Sequence, residues 1–407
     1  MKPAGLILAL MLVFLEWMDF SLYLYLAKSV FAVQFFPASS QSLMLSFAVF
    51  AAAYLARPLG GWMFGRSADR SGRRKPMMYS AALMGVSTLG ICFLPEYATI
   101  GIWAAWGLLL LRVGQGLALG GEMNTSAMFL VEHYPQHRLF AGSLMAIAGA
   151  IGMFAGAALA ALLQWLNVQQ IWRLMFAFLG FLSLMTCCLR KQLEESPEFL
   201  EDSSILHQHW AFYWQGILNI AVVAAFVSVF VYVCNVLWVS FAIDMKLMTK
   251  NQCIWAGALA QLTSALLAMP IAFLNKDQQV SRLLKLAMLL MIFVAPALFY
   301  STAYGNVFFV FVFLSSYALV NALVCASMYY FLYLQLPVHI RCTGVSLTWG
   351  LAASVGAASL PIAQQAIMQG KYWFPPLIVS AIAFAAWSVV QRNELLVPRA
   401  MEKKITA

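Results

Sequence analysis

Gly65-Arg66-Ser67-Ala68-Asp69-Arg70-Ser71-Gly72-Arg73-Arg74 interrupts the chain between two long apolar runs. These ten residues hold four arginines, one acid and two glycines, and Lys75 follows. The stretch reads as a tight basic turn, too polar to lie among apolar side chains. The runs on either side, 41–65 and 76–95, each reach the ~20 mostly apolar residues that cross a bilayer as a helix. The same alternation fills the rest of the chain. Of 407 residues, 63% are apolar; 24 are Lys or Arg and 15 are Asp or Glu. Mean hydropathy is +0.83. A soluble domain carries ~25% charged residues, so the solvent of this surface is lipid. A soluble enzyme, a disordered chain and a disulfide scaffold are excluded. The net charge of +9 does not call for nucleic acid, because the basic residues sit in short breaks between apolar runs.

Outward from that turn, the breaks give twelve spans: 5–33, 41–65, 76–95, 99–131, 139–164, 170–190, 213–244, 250–274, 282–303, 305–335, 339–368 and 371–391. The expected class is all-α integral membrane. The first run resembles a signal peptide in outline, but Glu16 and Asp19 interrupt it and no small-residue cleavage site follows, so it reads as a retained first helix. With the N-terminus placed in the cytoplasm, 17 of the 24 Lys and Arg fall in cytoplasmic segments. That bias marks the inner face, and both termini are expected there. The longest polar stretch, 190–209, carries Glu194, Glu195, Glu198, Glu201 and Asp202 and reads as a solvated linker. It divides the chain into an N-terminal six-helix bundle (1–190), a cytoplasmic linker (191–212), a C-terminal six-helix bundle (213–391) and a basic cytoplasmic tail (392–407). A weak repeat supports the division: Arg138, Ser143 and Leu144 after span four match Arg341, Ser346 and Leu347 after span ten in spacing. Paired halves are common in secondary transporters.

A charge at the bilayer centre costs several kcal/mol unless paired or facing water. The few charges here cluster. Glu16, Asp19 and Tyr23 share one helix face, and Arg112, Gln115 and Glu122 follow similar spacing in span four, with Arg57 in span two. An ionic cluster around a water-filled path fits this pattern, with Arg112 offsetting Glu16 or Asp19 and one carboxyl carrying a proton. Asp19 is the first expectation for that proton and Glu16 the second. A static ion pair is the plainer alternative. Tyr232, Asn235, Trp238, Tyr317 and Asn321 are cavity candidates in the second half, though such residues more often bond helix to helix.

His133, His137, His207, His209 and His339 lie in loops or at span ends, so no histidine relay and no metal site is expected. Cys92, Cys187, Cys188, Cys234, Cys253, Cys325 and Cys342 form no C-x-x-C pair and read as small core residues. No phosphate-binding G-x-x-x-x-G-K-[ST] motif is present, no cofactor is expected, and no nucleophile–base constellation marks an enzyme.

The 65–74 stretch also closely resembles the signature of the major facilitator superfamily. Arg112-Val113-Gly114-Gln115-Gly116 is similar to that superfamily's span-four motif. Four further pieces resemble its metabolite:proton symporters, which include proline/betaine, shikimate, citrate and 2-oxoglutarate carriers: Glu16-Trp17-Met18-Asp19-Phe20; Arg57-Pro58-Leu59-Gly60-Gly61; Trp172-Arg173 with Glu195-Ser196-Pro197-Glu198-Phe199; and Pro337-Val338-His339-Ile340-Arg341. The resemblance implies two six-helix bundles around a central cavity lined by spans one, four, seven and ten. It implies alternating access in a bacterial inner membrane by a monomer. Gly65, Asp69, Arg70, Gly72, Arg73, Arg74 and Arg341 would form a cytoplasmic latch, with Asp69 near the start of span eleven. Asp19, Glu16 and Glu122 would couple protons. Arg112, Tyr23, Gln115 and Arg57, with the second-half candidates, would bind substrate. The matching loop between spans eight and nine, 275–282, has lost most of the motif, which puts the second-half latch in question.

The expected function is proton-coupled import of a small polar metabolite. Two arginines and three acids in the spans favour a zwitterion over a di- or tricarboxylate. An importer or exporter of a larger polycarboxylate, such as a siderophore, is the alternative within transport. A non-transporting membrane sensor is the alternative outside it.

Overall fold

The computed structural model describes residues 3–37, 42–165, 171–201 and 213–396. The linker beyond Glu201 and the 397–407 part of the tail lie outside the described residues. Helix is the only regular structure among those described. Lipid offers backbone groups no partners, so each spanning segment must satisfy its own. The long helices are α1 (Pro3–Leu26), α2 (Ser42–Ser71), α3 (Arg74–Phe93), α4 (Ile102–His133), α5 (Arg138–Trp165) and α6 (Trp172–Leu189). The second set is α7 (Trp214–Val231), α8 (Lys250–Leu274), α9 (Val280–Ala303), α10 (Val307–Tyr333), α11 (Val338–Met368) and α12 (Phe374–Leu396). Eleven helices among the described residues are long and apolar enough to cross a membrane. The remaining long helix, α2, carries Arg57 and a polar end.

That polar end corrects the sequence reading. Most of the 65–74 stretch is helix, because α2 continues through Ser71. Leaving the apolar layer gives a helix no reason to stop. Only Gly72 and Arg73 separate α2 from α3. Gly72 has φ +90°, a conformation that glycine adopts without steric cost.

Two helices widen locally. α1 passes into a π turn at Ala27–Phe31, and α7 into one at Tyr232–Leu237 before Trp238–Asp244 resumes the α form. Both are first helices of their bundles, and π turns favour functional positions.

Packing repeats between the halves. α1 lies on α5, α2 on α4 and α3 on α6; likewise α7 lies on α11, α8 on α10 and α9 on α12. The bundles meet along α2–α11 and α5–α8. Glycine makes the first seam tight: a Cβ on Gly61 would lie 2.7 Å from the Ser346 carbonyl oxygen, and one on Gly65 2.7 Å from Thr343 Cα. Small residues let membrane helices approach this closely. The described start of the linker is not solvated as the sequence suggested. Arg190 and Ser196 are fully buried, and Glu195 accepts the backbone N–H groups of Arg73 (2.7 Å) and Arg74 (3.2 Å) at the start of α3.

Candidate functional site

Near the middle of the N-terminal bundle, α1, α3 and α4 bring polar groups together. Asp19 is 1% exposed. Its carboxylate accepts from Arg112 Nη1 at 3.1 Å, Thr88 Oγ1 at 2.8 Å and Gln115 Nε2 at 2.8 Å. Arg112 also donates to Gln115 Oε1 at 2.5 Å, and its guanidinium lies 3.6 Å over the Tyr23 ring. The expected pairing of Arg112 therefore falls on Asp19, with Gln115 and Tyr23 beside it. Thr88 was missed; a threonine in an apolar run carries no distinguishing signal. Nε and Nη2 of Arg112 have no hydrogen-bond partner among the described residues.

One turn nearer the chain start, Glu16 is fully buried and neither carboxylate oxygen has a partner among the described residues. Arg57 is 8% exposed, and its Nε and Nη2 are likewise unmatched. Its guanidinium lies 3.6 Å over Tyr54, 4.8 Å from the Phe20 centroid and 5.6 Å from that of Trp17. Phe20 also lies 5.2 Å from Arg112, so both guanidiniums border one ring.

Glu122 lies apart from Asp19 and Arg112, though its charge acts on Glu16. It is ten residues beyond Arg112 on α4, about 15 Å along the axis. It accepts from Arg190 Nη1 and Ser126 Oγ, both at 2.6 Å, and from Ser80 Oγ. Arg190, taken from the sequence as a cytoplasmic cation, is fully buried and also donates to the carbonyls of Met77 and Ala9.

The second-half candidates divide. Asn235 donates to the Gly257 carbonyl at 3.0 Å, Trp238 to Thr302 Oγ1 at 2.9 Å and Asn321 to Gln261 Oε1 at 2.7 Å. These three bond helix to helix within the C-terminal bundle. Tyr232, in the π turn, reaches the other bundle, its ring 5.9 Å from Tyr54. Tyr317 is fully buried, with no partner for its hydroxyl among the described residues.

The end carrying the 66–75 arginines, the basic end, is closed by a polar network. Asp69 accepts from the backbone N–H of Cys342 (2.9 Å) and Thr343 (2.8 Å) and from Thr343 Oγ1 (2.6 Å), in the second turn of α11. Asp277 binds the very start of α5, accepting from the N–H of Arg138 (3.3 Å) and Leu139 (3.0 Å). The loop that lost its motif thus keeps a working acid. Glu132, missed in the sequence because a charge at a span end reads as solvated, joins both bundles. It accepts from Arg73 Nη2 (2.9 Å), Arg341 Nη1 (2.7 Å) and Ser196 Oγ (2.5 Å). Burial opposes the Arg73 charge, yet the carboxylates of Glu132 and Asp69 hold its pKa above the ordinary arginine value. Glu198 accepts from Arg138 (2.9 Å), Arg341 (3.0 Å) and Tyr333 (2.5 Å). Arg74 donates to the Leu193 carbonyl at 3.2 Å. Arg70, expected in the latch, is exposed. Among the described residues no group of three His, Cys, Asp or Glu gathers to hold a metal.

The same architecture recurs in known proteins. A family model for sugar (and other) transporters matches residues 6–205. The chain is 29% identical to the inner membrane metabolite transport protein YhjE of Escherichia coli (strain K12), over 85% of this chain and 83% of that protein. It is 38% identical to the alpha-ketoglutarate permease of the same organism, over 45% of this chain and 44% of the permease. It is 35% identical to the proline/betaine transporter of Salmonella typhimurium, over 48% and 40%. The last two matches therefore span less than half of the relative. Among solved structures, a double-tryptophan mutant of XylE has a TM-score of 0.75 at 16% identity, covering 94% of this chain and 93% of that one. The human organic anion transporter MFSD10 has a TM-score of 0.73 at 14% identity, covering 96% and 100%. The paired bundles and these likenesses agree: the chain has the fold of the major facilitator superfamily and is similar in sequence to its membrane transporters.

Proposed function

We propose that this chain imports a small polar metabolite together with protons by alternating access. The substrate is a zwitterionic amino acid or betaine-like compound, or an organic acid. The buried Asp19–Arg112 pair carries the proposal. A carboxylate held by a guanidinium and two neutral donors in the membrane interior is stable as an ion only while those donors stay. Drawing Arg112 toward a substrate carboxylate would leave Asp19 bare, and a proton would then remove the cost of its charge. Returning Arg112 would release that proton. Binding and protonation are thus linked through one side chain.

The comparisons support the reading. The substrates named for relatives, proline/betaine, shikimate and alpha-ketoglutarate, all bear a carboxylate. A structural neighbour is a proton:xylose symporter. The two bundles, 1–190 and 213–391, would rock as bodies. The Asp69 and Asp277 contacts, with Arg73, Arg74 and Arg341, would hold the basic end shut in one state. In this reading that end and both termini are cytoplasmic, which the Lys and Arg bias supports, and the protein works as a monomer in a bacterial inner membrane.

Reconstituted vesicles test this. With an inward proton gradient, the protein accumulates a labelled relative-type substrate such as proline, shikimate or 2-oxoglutarate. Asp19→Asn, fixed in a neutral form, is expected to lose gradient-driven accumulation while retaining exchange of internal for external substrate. Full accumulation by Asp19→Asn would remove Asp19 from the coupling role.

A further inference from the structure

Asp19 is fully engaged by Arg112, Thr88 and Gln115, although Arg112 keeps Nε and Nη2 unmatched, whereas a second buried acid in the same bundle has no hydrogen-bond partner among the described residues. Glu16 is fully buried with both oxygens unmatched, and Arg57 is 8% exposed with Nε and Nη2 unmatched. The indole Nε1 of Trp17, whose ring lies 5.6 Å from the Arg57 guanidinium, also lacks a partner. Unmade hydrogen bonds on buried polar groups are costly, so a site holding five such atoms, four of them on ionic groups, is built for something that completes it. Three are donors gathered on α1 and α2, and two are the oxygens of one carboxyl. We propose that Arg57, with Trp17 Nε1, is the primary anchor for the substrate carboxylate, and that Glu16 is a second proton site that controls it. This rests on the symport reading above and adds that the anion is anchored first on Arg57, before it draws on Arg112.

The logic follows from charge. The charged groups around Glu16 are Glu122 on α4, Arg190 after α6, Arg57 on α2 and Asp19 on its own helix. α5, which packs along α1, places glycines there: Gly149 against Trp17 and Gly152 against Phe14. An ionised Glu16 has Arg57 as its partner in waiting, since Arg190 is held by Glu122. A proton on a Glu16 oxygen ends that competition and leaves the guanidinium to the substrate. Tyr54, Phe20 and Trp17 keep the guanidinium in place by stacking, so the anchor is set before the anion arrives. Loss of the proton would return Arg57 to Glu16 and expel the carboxylate. Arg112, which borders the same Phe20 ring as Arg57, is then the second contact, and its move toward the bound anion frees Asp19 for the first proton.

Binding measurements on purified protein separate the roles. The probes are proline, glycine betaine, shikimate and 2-oxoglutarate, with prolinamide, choline and xylose as counterparts lacking a carboxylate. At least one carboxylate probe is expected to bind, more tightly as pH falls, and its counterpart is not. Arg57→Gln is expected to weaken that binding by about 100-fold, as lost charge-assisted hydrogen bonds imply. Glu16→Gln, an isosteric neutral form, is expected to keep the affinity and flatten its pH dependence. Both variants are first shown to melt cooperatively, and Arg57→Lys is included as a charge-retaining control with intermediate affinity. Binding of xylose with none of the carboxylates overturns the proposal. So does unchanged affinity in Arg57→Gln, or a Glu16→Gln pH profile equal to that of the parent. If Asp19→Asn abolishes coupling while both of these variants behave as the parent, symport through Asp19 stands and this assignment alone falls.

Discussion

Arg190 ends α6 with a guanidinium that turns back into the bundle and reaches Glu122 at 2.6 Å. Both side chains are fully buried. Removing one partner of such a pair leaves a bare charge in a dry place, at a cost of ~3–5 kcal/mol. Arg190→Met is therefore expected to lower thermal stability in detergent by that order, and adding Glu122→Gln is expected to restore most of it. An Arg190→Met protein that melts like the parent would show that the pair does not hold the bundle. Asp19, Arg112, Gln115 and Arg57 were legible in the sequence because ionisable or amide groups are rare inside apolar runs. Arg190 and Glu132 were not. At the end of a run, a long side chain can reach out or back, and residue order does not distinguish the two. Thr88 was hidden for another reason, since hydroxyls are common in membrane helices and most bond their own backbone.

Gly61 and Gly65 lie four residues apart on one face of α2, both against the backbone of α11. A leucine at Gly65 would hold the two helices apart at the basic end, where a Cβ would already lie 2.7 Å from Thr343 Cα. Gly65→Leu is expected to shift the population toward a conformation open at that end. Spin labels at the exposed positions Arg70 and Gln278, one on each bundle, would report a longer distance. An unchanged distance would place the closing force elsewhere. The helices themselves were legible because twenty apolar residues in lipid have little choice of structure. Their ends were less so, as the extension of α2 to Ser71 shows, because polarity marks the membrane surface and not the last helical hydrogen bond. The π turns left no trace, since one extra residue in a turn changes neither composition nor apolar run length.

Across the whole molecule, Asp69 binds two amides in the second turn of α11 and Asp277 caps α5, so each bundle supplies an acid to the early turns of a helix of the other. Carboxylates at helix N-termini gain from the unpaired N–H groups and the helix dipole. Asp69→Asn and Asp277→Asn are each expected to weaken basic-end closure by ~1–2 kcal/mol, with the double change close to additive. The same label pair would show the open fraction rising in the order single, double. If only Asp69→Asn acts, the Asp277 cap is ornamental to closure. The repeat starting at Arg138 and Arg341 had marked both receiving helices. The acid serving the first was hidden because a motif reduced to one residue reads as lost, although one carboxylate is enough for two amides. Glu198, bonded to both repeated arginines, makes the connecting segment part of the closure as well.

The widened turns of α1 and α7 bear on the order of events. A π turn can tighten or loosen by one residue without costing the helix its continuity, so the stretch beyond it can bend while the bundle below stays rigid. The far mouth would then shut by local bending, before the bodies rock and the basic end unlocks. A carrier with two doors worked in sequence traps its cargo in a sealed chamber between them, and never offers an open pore through which the proton gradient could drain.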